Sequence, residues 1–250
     1  MHTKFSTAIM AAGKGTRMKD PSRAKVMFEV KNKPMLQHVV ELAESLSSDR
    51  IIAIVGFYRE SVIEFLNTVA PHVETVVQEP QMGTGHAVMQ TEPLLRNYSG
   101  DVLVLSGDVP LLRKETIAKL IHHHRETNAV GTILTALIDD PAGYGRVLRN
   151  KNGNVTGIVE QKDASDEQKK VNEINSGIYI FDAKYLFDAL QHINTHNAQN
   201  EYYLTDVFGY FWEHHFIIAA VSSDDLNEIR GVNTLEQLQE AEDVLNERNK

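Results

Sequence analysis

The stretch that decides the fold is Thr7-Ala8-Ile9-Met10-Ala11-Ala12-Gly13-Lys14-Gly15-Thr16-Arg17. Its first five residues are mostly apolar and predict a strand, and glycines follow almost immediately. Glycine lets the backbone turn tightly and point its N–H groups at an anion without a Cβ in the way. Lys14 and Arg17 add positive charge, and arginine can bind two phosphate oxygens at once. A basic, glycine-rich loop after a buried strand therefore predicts an anion site.

The charge along the chain is uneven. The 250 residues carry a net charge of −9, which argues against general binding to nucleic acid. Residues 13–25 nevertheless contain five basic residues and one acidic residue. On charge alone a solvated loop is favoured over a local anion site. The glycines at the end of a strand reverse that preference.

Two common nucleotide-binding loops are excluded by the residues of this stretch. A dinucleotide-binding loop needs a third glycine where Met18 stands. A Walker-type loop needs Gly-Lys-Ser/Thr at a spacing that this sequence does not have. Open α/β sheets bind ligands beyond the carboxyl ends of their strands, which is where this loop would lie.

Strand-like and helix-like segments alternate through the first half of the chain. We predict strands at residues 7–11, 51–55, 73–78, 102–105 and 130–138, and helices at residues 34–46, 59–68, 86–95 and 115–128. Near-continuous apolar strands with helices between them are typical of a mostly parallel sheet covered on both faces. The sequence therefore predicts an α/β fold.

The second half predicts shorter strands. We expect them at residues 146–149, 155–159, 174–181 and 216–221, with a last helix from residue 234 to about 249. Asn152-Gly153 is a hairpin signal, so a small β-rich segment would be attached to the parallel half. The chain has no linker and no break in composition, so we predict a single domain over residues 1–250. Its expected parts are residues 1–138, 139–230 and 231–250, the last a C-terminal helix.

Polar residues follow a second strand end at Gln78 and at Gly83-Thr84-Gly85. The amide of Gln78 has one donor and one acceptor face, which suits the edge of a pyrimidine base. The glycines allow a close approach of the backbone to a ligand. A polar turn with a helix cap at Thr84 explains the same residues equally well.

Asp108 and Asn233 are candidate metal ligands. Asp108 follows the apolar strand at residues 102–105, where a carboxylate is well placed to bind Mg²⁺ together with substrate phosphates. A turn aspartate before proline is the alternative. The amide oxygen of Asn233 can also bind a hard cation. Read alone, Asn233 with Glu236 three residues later favours a helix cap instead.

Ten short motifs follow one another over nearly the whole chain. They are Ala11-Ala12-Gly13-Lys14-Gly15-Thr16-Arg17-Met18, Lys25-Val26, Lys33-Pro34-Met35, Gln81-Met82-Gly83-Thr84-Gly85-His86-Ala87, Gly107-Asp108-Val109-Pro110-Leu111, Gly143-Tyr144-Gly145-Arg146, Gly157-Ile158-Val159-Glu160-Gln161-Lys162-Asp163-Ala164, Glu173-Ile174-Asn175-Ser176-Gly177, Glu201-Tyr202-Tyr203-Leu204-Thr205-Asp206 and Gly231-Val232-Asn233. Together they resemble the sugar-1-phosphate nucleotidyltransferases. The closest similarity is to the uridylyltransferase part of the bifunctional bacterial enzyme that makes UDP-N-acetylglucosamine.

The resemblance implies a Rossmann-like nucleotidyltransferase fold and a role for each matching residue. Arg17, Lys25 and Asp108 would be catalytic, and Asp108 and Asn233 would bind Mg²⁺ as the cofactor. The nucleotide would be held by Met10, Ala11, Ala12, Gly13, Gln78, Gly83, Thr84 and Gly107. The sugar would be held by Gly145, Glu160, Asn175 and Tyr203. The implied reaction transfers UMP from UTP to N-acetylglucosamine 1-phosphate and releases pyrophosphate.

The chain also departs from the family pattern. Ala24 stands where proline is usual, Ser106 stands where tyrosine is usual, and the spacing from Met18 to Lys25 is one residue longer. The sequence ends at Lys250, so we expect neither the family's acetyltransferase β-helix nor the trimer that it forms. A monomer or a dimer remains open.

Composition sets the remaining expectations. The chain has no cysteine, which suits a reducing cytoplasm, and its apolar runs are too short to span a bilayer. We therefore expect a cytoplasmic protein that binds neither nucleic acid nor membrane. The partners that the resemblance implies are UTP and a sugar 1-phosphate. The alternatives are another sugar 1-phosphate or NTP, such as glucose 1-phosphate with UTP or dTTP, and a non-catalytic nucleotide-sugar-binding protein.

Overall fold

The computed structural model describes residues 4–18, 20 and 22–248. Lys19 of the basic segment and Asn249, at the predicted end of the last helix, lie outside these residues. Across the described ranges, no helix has both the length and the apolar character needed to cross a membrane.

Most strands of the described residues belong to one nine-stranded sheet. The strands are β1 (Phe5–Ala11), β2 (Glu29–Val30), β3 (Lys33–Pro34), β4 (Ile51–Val55), β5 (Glu74–Val77), β6 (Asp101–Ser106), β7 (Gly131–Leu137), β8 (Arg146–Arg149), β9 (Val155–Val159), β10 (Glu173–Asp182) and β11 (Ile218–Ser222). The main order is β11-β7-β10-β6-β1-β4-β5, with β8 pairing with β10 and with β9. Strands β2 and β3 form a separate hairpin.

Six of the seven strands in this order run in one direction, and only β10 runs against them. The prediction of a mixed, mostly parallel sheet is therefore confirmed. Strand β10 lies between β6 and β7 in the middle of the sheet, whereas the sequence placed it in the attached β-rich segment. Its side chains explain this, because Ile178 and Ile180 pack on one face and Tyr179 and Phe181 on the other.

Helices cover both faces of the sheet. They are α1 (Met35–Ser45), α2 (Arg59–Val69), α3 (Thr84–Met89), α4 (Glu92–Leu95), α5 (Lys114–Thr127), α6 (Ala183–Leu190), α7 (Asp206–Glu213), α8 (Leu226–Ile229) and α9 (Leu235–Arg248), with 3-10 turns at Thr16–Met18, Lys25–Met27 and Gln168–Lys170. The helix predicted at residues 86–95 is divided into α3 and α4. Helices α6 and α7 were not predicted. Asp182 caps α6 by accepting hydrogen bonds from the backbone N–H groups of Lys184 and Tyr185.

The core has a layer on each face of the sheet. Ile9 packs into one layer and its neighbour Ala8 into the other, as the alternation along a strand requires. A third, smaller cluster joins α9 to the β2–β3 hairpin through residues that include Phe28 and Ala241. Each fully buried large apolar side chain contributes about 1.5–3 kcal/mol to stability. The cluster thereby anchors α9, which follows Asn233.

Candidate functional site

A cleft of about 520 Å³ opens beyond the carboxyl ends of β1, β5 and β6. We call it the nucleotide cleft. The predicted site residues that line it are Met10, Ala12, Gly13, Arg17, Lys25, Gln78, Gly83, Thr84, Asp108 and Asn233. Residues separated by more than two hundred positions thus meet at one edge of the sheet, where open α/β sheets bind their ligands.

The two glycines of the loop after β1 differ in the room that the protein leaves for a side chain. Gly15 has a φ of +61°, and a Cβ built on it would lie 2.5 Å from the Cβ of Lys25. Only glycine therefore fits next to Lys25. Gly13 lines the cleft, and a Cβ built on it would meet no protein atom within 4 Å. The protein itself therefore leaves room at Gly13 for a side chain or for a bound ligand.

Gly13→Ala is expected to leave stability unchanged or slightly raised, because the backbone conformation and the space both admit a methyl group. For the UTP that the resemblance implies as substrate, we expect kcat/KM to fall on the order of 10²-fold, since a displacement of a reactant by about 1 Å can cost that much. Gly209→Ala is the matched control, because a Cβ there also meets nothing within 4 Å and the residue lies in α7 outside the cleft. Equal kinetics for both variants would remove Gly13 from the ligand-binding surface.

Ala11 and Gly107 do not line the nucleotide cleft. Ala11 is only 1% exposed and packs in the core. The backbone N–H of Gly107 donates to the carbonyl of Met10 at 2.9 Å, and a Cβ on Gly107 would lie 3.1 Å from Cγ1 of Val26. Both residues therefore shape the ends of β1 and β6 next to the cleft.

The two predicted metal ligands lie together and face cationic side chains. Nζ of Lys25 donates to Oδ2 of Asp108 and, at 2.7 Å, to Oδ1 of Asn233. Arg17 donates to the same Asn233 oxygen at 2.7 Å. Lys25 is only 9% exposed, so its two contacts are partly shielded from water, whereas the Arg17 side chain is exposed. A carboxylate oxygen and an amide oxygen therefore converge on one position that already attracts a cation.

Asp108 is held at both ends of its carboxylate and through its backbone. Oγ of Ser106 donates to Oδ1 of Asp108 at 2.8 Å, opposite the oxygen that faces Lys25. The backbone carbonyl of Asp108 accepts from the N–H of Val232 at 2.9 Å. The hydroxyl of Ser106 thus orients the carboxylate.

The side chain of Asn233 does not cap α9, so that alternative from the sequence is wrong. Thr234 performs this role, because its Oγ1 accepts from the backbone N–H of Gln237 at 3.2 Å. The amide nitrogen of Asn233 donates to the carbonyl of Gly231 at 3.0 Å. Its oxygen is therefore turned towards the cations of the cleft.

The side chains of Gln78 and Thr84 are less available to a ligand than the sequence indicates, because both form hydrogen bonds within the protein. Gln78 is 3% exposed, and its Nε2 donates to the carbonyl of Gly83 at 2.9 Å. The donor face expected for a base is thus engaged within the protein, which leaves the acceptor face. Oγ1 of Thr84 accepts from the backbone N–H of Leu204 at 3.0 Å instead of capping α3, whose cap position is Gly83. The cap alternative at Thr84 is therefore also wrong.

The four predicted sugar-binding residues form a second group beside the nucleotide cleft. A Cβ on Gly145 would lie 3.3 Å from Oε2 of Glu160 and 3.4 Å from Cβ of Asn175. Asn175 is 9% exposed and donates from Nδ2 to the hydroxyl of Tyr179 at 2.7 Å. The hydroxyl of Tyr203 donates to Oδ2 of Asp163 at 3.3 Å.

The segment after Tyr203 links this second group to the nucleotide cleft. Leu204 bonds to Thr84 in the cleft, and the hydroxyl of Thr205 donates to Oε1 of Glu160 at 3.1 Å. Two consecutive residues thus connect the two sets of predicted contacts. A ligand that reaches from one set to the other would lie along this segment.

Carboxylates accumulate at the start of α7. Burial, with the nearby charges of Glu160 and Asp163, raises the pKa of Asp206 to about 6. Burial also raises the pKa of Glu160; the hydrogen bond from Thr205 acts in the opposite direction, and the charge of Asp163 adds to the rise. The folded state therefore favours the protonated form of Asp206 where the unfolded chain has already released its proton.

Asp206→Asn is expected to raise the free energy of unfolding by about 1–3 kcal/mol at neutral pH. The folded wild type holds the Asp206 proton up to about pH 6 while the unfolded carboxyl releases it near its ordinary pKa of 3.8. Wild-type stability therefore falls as pH rises through this window, whereas the uncharged asparagine lacks that fall. Denaturant unfolding as a function of pH measures the difference, with the exposed Asp188→Asn on α6 as the control. Parallel pH profiles for wild type and Asp206→Asn would contradict the raised pKa.

Several residues that line the cleft were not among the predicted site residues. They are Lys14, Gly15, Thr16, Val26, Gln81, Ala87, Ser106 and Glu201. All except Ser106 lie inside the motifs quoted above, so membership of a motif was the available signal. Glu201 enters the cleft because the 201–206 segment returns to α3, where the carbonyl of Tyr202 accepts from the N–H of Gly85 at 2.8 Å.

Comparisons with known proteins agree with this geometry. Residues 6–226 match the family model described as nucleotidyl transferase. The chain is 47% identical over 245 residues to the bifunctional protein GlmU of Geobacillus sp. (strain WCH70), covering 98% of this chain and 52% of that protein. It is 47% identical over 240 residues to the bifunctional protein GlmU of Streptococcus mutans, covering 96% and 51%. The chain thus spans about half the length of these curated relatives.

A solved structure extends the similarity to the fold. The chain has a TM-score of 0.76 and 18% identity to a UDP-glucose pyrophosphorylase complexed with UDP-glucose, covering 98% of this chain and 99% of that one. At this identity the likeness concerns the fold alone.

Proposed function

The chain belongs to the nucleotidyl transferase family, and from this premise we propose that it transfers UMP from UTP to N-acetylglucosamine 1-phosphate. The observation that carries the proposal is the convergence of Arg17, Lys25, Asp108 and Asn233 in the nucleotide cleft. The choice of base and sugar is supported by the ten ordered motifs and by the identity to the bifunctional proteins.

In the proposed reaction a phosphate oxygen of the sugar 1-phosphate forms a bond to the α-phosphorus of UTP. The bond from that phosphorus to the bridging oxygen breaks, and pyrophosphate leaves with the electron pair. A phosphate monoester has its second pKa at about 6, so the nucleophile is already an anion at neutral pH and needs no general base. The work of the protein is to bring two polyanions into line and to neutralise their charge.

The positive charge would come from the loop after β1 and the turn that follows it. Arg17 and Lys25 line the cleft next to the proposed metal ligands, and Lys14 lies in the same lining. The acidic side chains on the walls of the cleft are those of Asp108 and Glu201, so the basic side chains outnumber them. Arginine can bind two phosphate oxygens in a fixed geometry, while the lysine ammonium acts as a point charge.

Asp108 and Asn233 would hold Mg²⁺. The donor set fits, because a carboxylate oxygen and an amide oxygen face one shared position and Mg²⁺ prefers hard oxygen ligands with few protein donors. Bound there, the ion would stabilise the charge that develops on the transferring phosphoryl group. Ser106 and Gly231, through their bonds to the two side chains, would keep these oxygens directed at it.

The nucleotide would lie over the ends of β1 and β5. Met10, Ala12 and Gly13 would contact the phosphates and ribose, while Gln78, Gly83 and Thr84 would contact the base. Ala11 and Gly107 would support the strand ends from outside the cleft. The sugar would bind against Gly145, Glu160, Asn175 and Tyr203. Because the chain has no cysteine, we also propose the cytoplasm as the location in which it acts.

A pyrophosphate-release assay tests the function. With Mg²⁺, we expect release with UTP and N-acetylglucosamine 1-phosphate, and none after chelation of the metal. Faster release with glucose 1-phosphate or with dTTP would overturn the choice of substrates. No release with any pair, together with measurable UTP binding by calorimetry, would favour a non-catalytic nucleotide-binding protein.

A further inference from the structure

The amide of Asn233 can face the cleft in two ways, and only one of them suits a cation. With its oxygen outward it accepts from Arg17 and Lys25, both at 2.7 Å. With its nitrogen outward it would present N–H donors to the same positive groups. The carbonyl of Gly231 selects the first orientation by accepting from Nδ2 at 3.0 Å. This selection requires that the backbone of Asn233 stay at a fixed distance from Gly231.

The side chain of Gln237 contacts the backbone of Asn233 directly. Its Oε1 accepts from the backbone N–H of Asn233 at 2.7 Å. The side chain lines a small pocket between α9 and residues 227–232, and it is not part of the nucleotide cleft. Gln237 therefore contacts the residue that faces the cation while having no surface of its own towards a substrate.

The contact is separate from the cap of α9. The cap is the bond from the backbone N–H of Gln237 to Oγ1 of Thr234, which any residue except proline can make at position 237. The side-chain bond instead reaches one residue further back, to Asn233. Loss of the Gln237 side chain would thus release Asn233 while Thr234 still caps the helix.

We propose that Gln237 is a positioning residue, which fixes the backbone of Asn233 so that its amide oxygen stays directed at the bound divalent cation. The inference rests on the proposed function, in which Asn233 is a metal ligand. Groups that orient a metal ligand from behind typically change metal affinity by about 10–100-fold when they are removed. Gln237 occupies this place for Asn233, as Ser106 does for Asp108.

The test measures metal binding directly. Mn²⁺ is titrated into protein with UTP, and water-proton relaxation enhancement distinguishes Mn²⁺ on the protein from Mn²⁺ on free UTP. Gln237→Met, which lacks the acceptor, is expected to raise the half-saturating Mn²⁺ concentration by about 10–100-fold. Gln237→Glu keeps an acceptor oxygen and is expected to bind Mn²⁺ as the wild type does. Gln239→Met is the matched control, because Gln239 lies on the same helix, is exposed and donates from its side chain to Asp243, away from Asn233.

Asn233→Ala separates this inference from the proposed function. If Asn233→Ala binds Mn²⁺ as tightly as the wild type, the metal-binding role of Asn233 is wrong. If Asn233→Ala weakens binding and Gln237→Met does not, only the positioning role of Gln237 is overturned. Weak binding by folded Gln237→Glu would overturn it too. Thermal unfolding is recorded for every variant, and Gln237→Lys, which also lacks an acceptor, repeats the measurement if Gln237→Met does not fold.

Discussion

Asp108→Asn is expected to lower the turnover of uridylyl transfer by about 10²–10³-fold while the protein still folds. Asparagine has the size of aspartate and can still accept from Ser106, so local packing is kept. It lacks the negative charge that, in the proposed site, binds the divalent cation. Steady-state kinetics with saturating Mg²⁺ measure the loss, and circular dichroism with thermal unfolding checks the fold.

Asp224→Asn is the control for this substitution. The side chain of Asp224 is 94% exposed, and its nearest cation is Lys119 at 3.7 Å. We expect wild-type turnover from this variant, since an exposed ion pair contributes little. Near-normal turnover by Asp108→Asn would rule out Asp108 as a ligand of the catalytic metal.

Lys25→Met is expected to have a comparable effect on catalysis and a larger one on stability. Removal of one preorganised charge at the reacting phosphates costs about 10²–10³-fold in rate. The ammonium also donates to both Asp108 and Asn233 in a position that is 9% exposed. Methionine fills the same volume but leaves both oxygens without this donor, so we expect a loss of about 1–3 kcal/mol in the free energy of unfolding.

Denaturant unfolding with and without Mg²⁺ and UTP separates the two effects of Lys25→Met. Added metal supplies a new cationic partner for Asp108 and Asn233, so ligand should recover part of the lost stability but none of the turnover. Lys119→Met is the control, because the Lys119 side chain is 59% exposed and lies outside the cleft. Wild-type kcat/KM in Lys25→Met would show that this lysine does not act on the phosphates.

The parallel half of the fold was predictable because its signals are local. Strands such as Ile51–Val55 are buried along their whole length, and a run of apolar residues bounded by a glycine reports this without any tertiary information. The same applies to Gly15, where the residue type itself reflects a positive φ in the backbone. Positions at strand ends were enough to bring Asp108 and Gln78 to one edge of the sheet.

Features that depend on distant partners were not predictable in this way. The role of Asn233 was ambiguous between a helix cap and a metal ligand, and only the folded chain shows that Thr234 caps α9 instead. The donor of Gln78 was expected to be free, but the turn at Gly83 brings a carbonyl within 2.9 Å. Helix α7 was missed because its aromatic residues carry no strong helical preference and gain their stability from packing against the sheet.

The place of β10 in the middle of the sheet has a consequence for synthesis. Strands β6 and β7 are made first, and each has an open edge until residues 173–182 leave the ribosome and pair with both. A nascent chain that is shorter than this can form the β6-β1-β4-β5 sheet, but β7 has no strand to pair with, because its partners β10 and β11 are both made later. Closing the sheet therefore waits for a late, long-range pairing, which is intrinsically slow and leaves strand edges exposed to other chains. The nucleotide cleft is then completed last of all, when the 201–206 segment and Asn233 arrive.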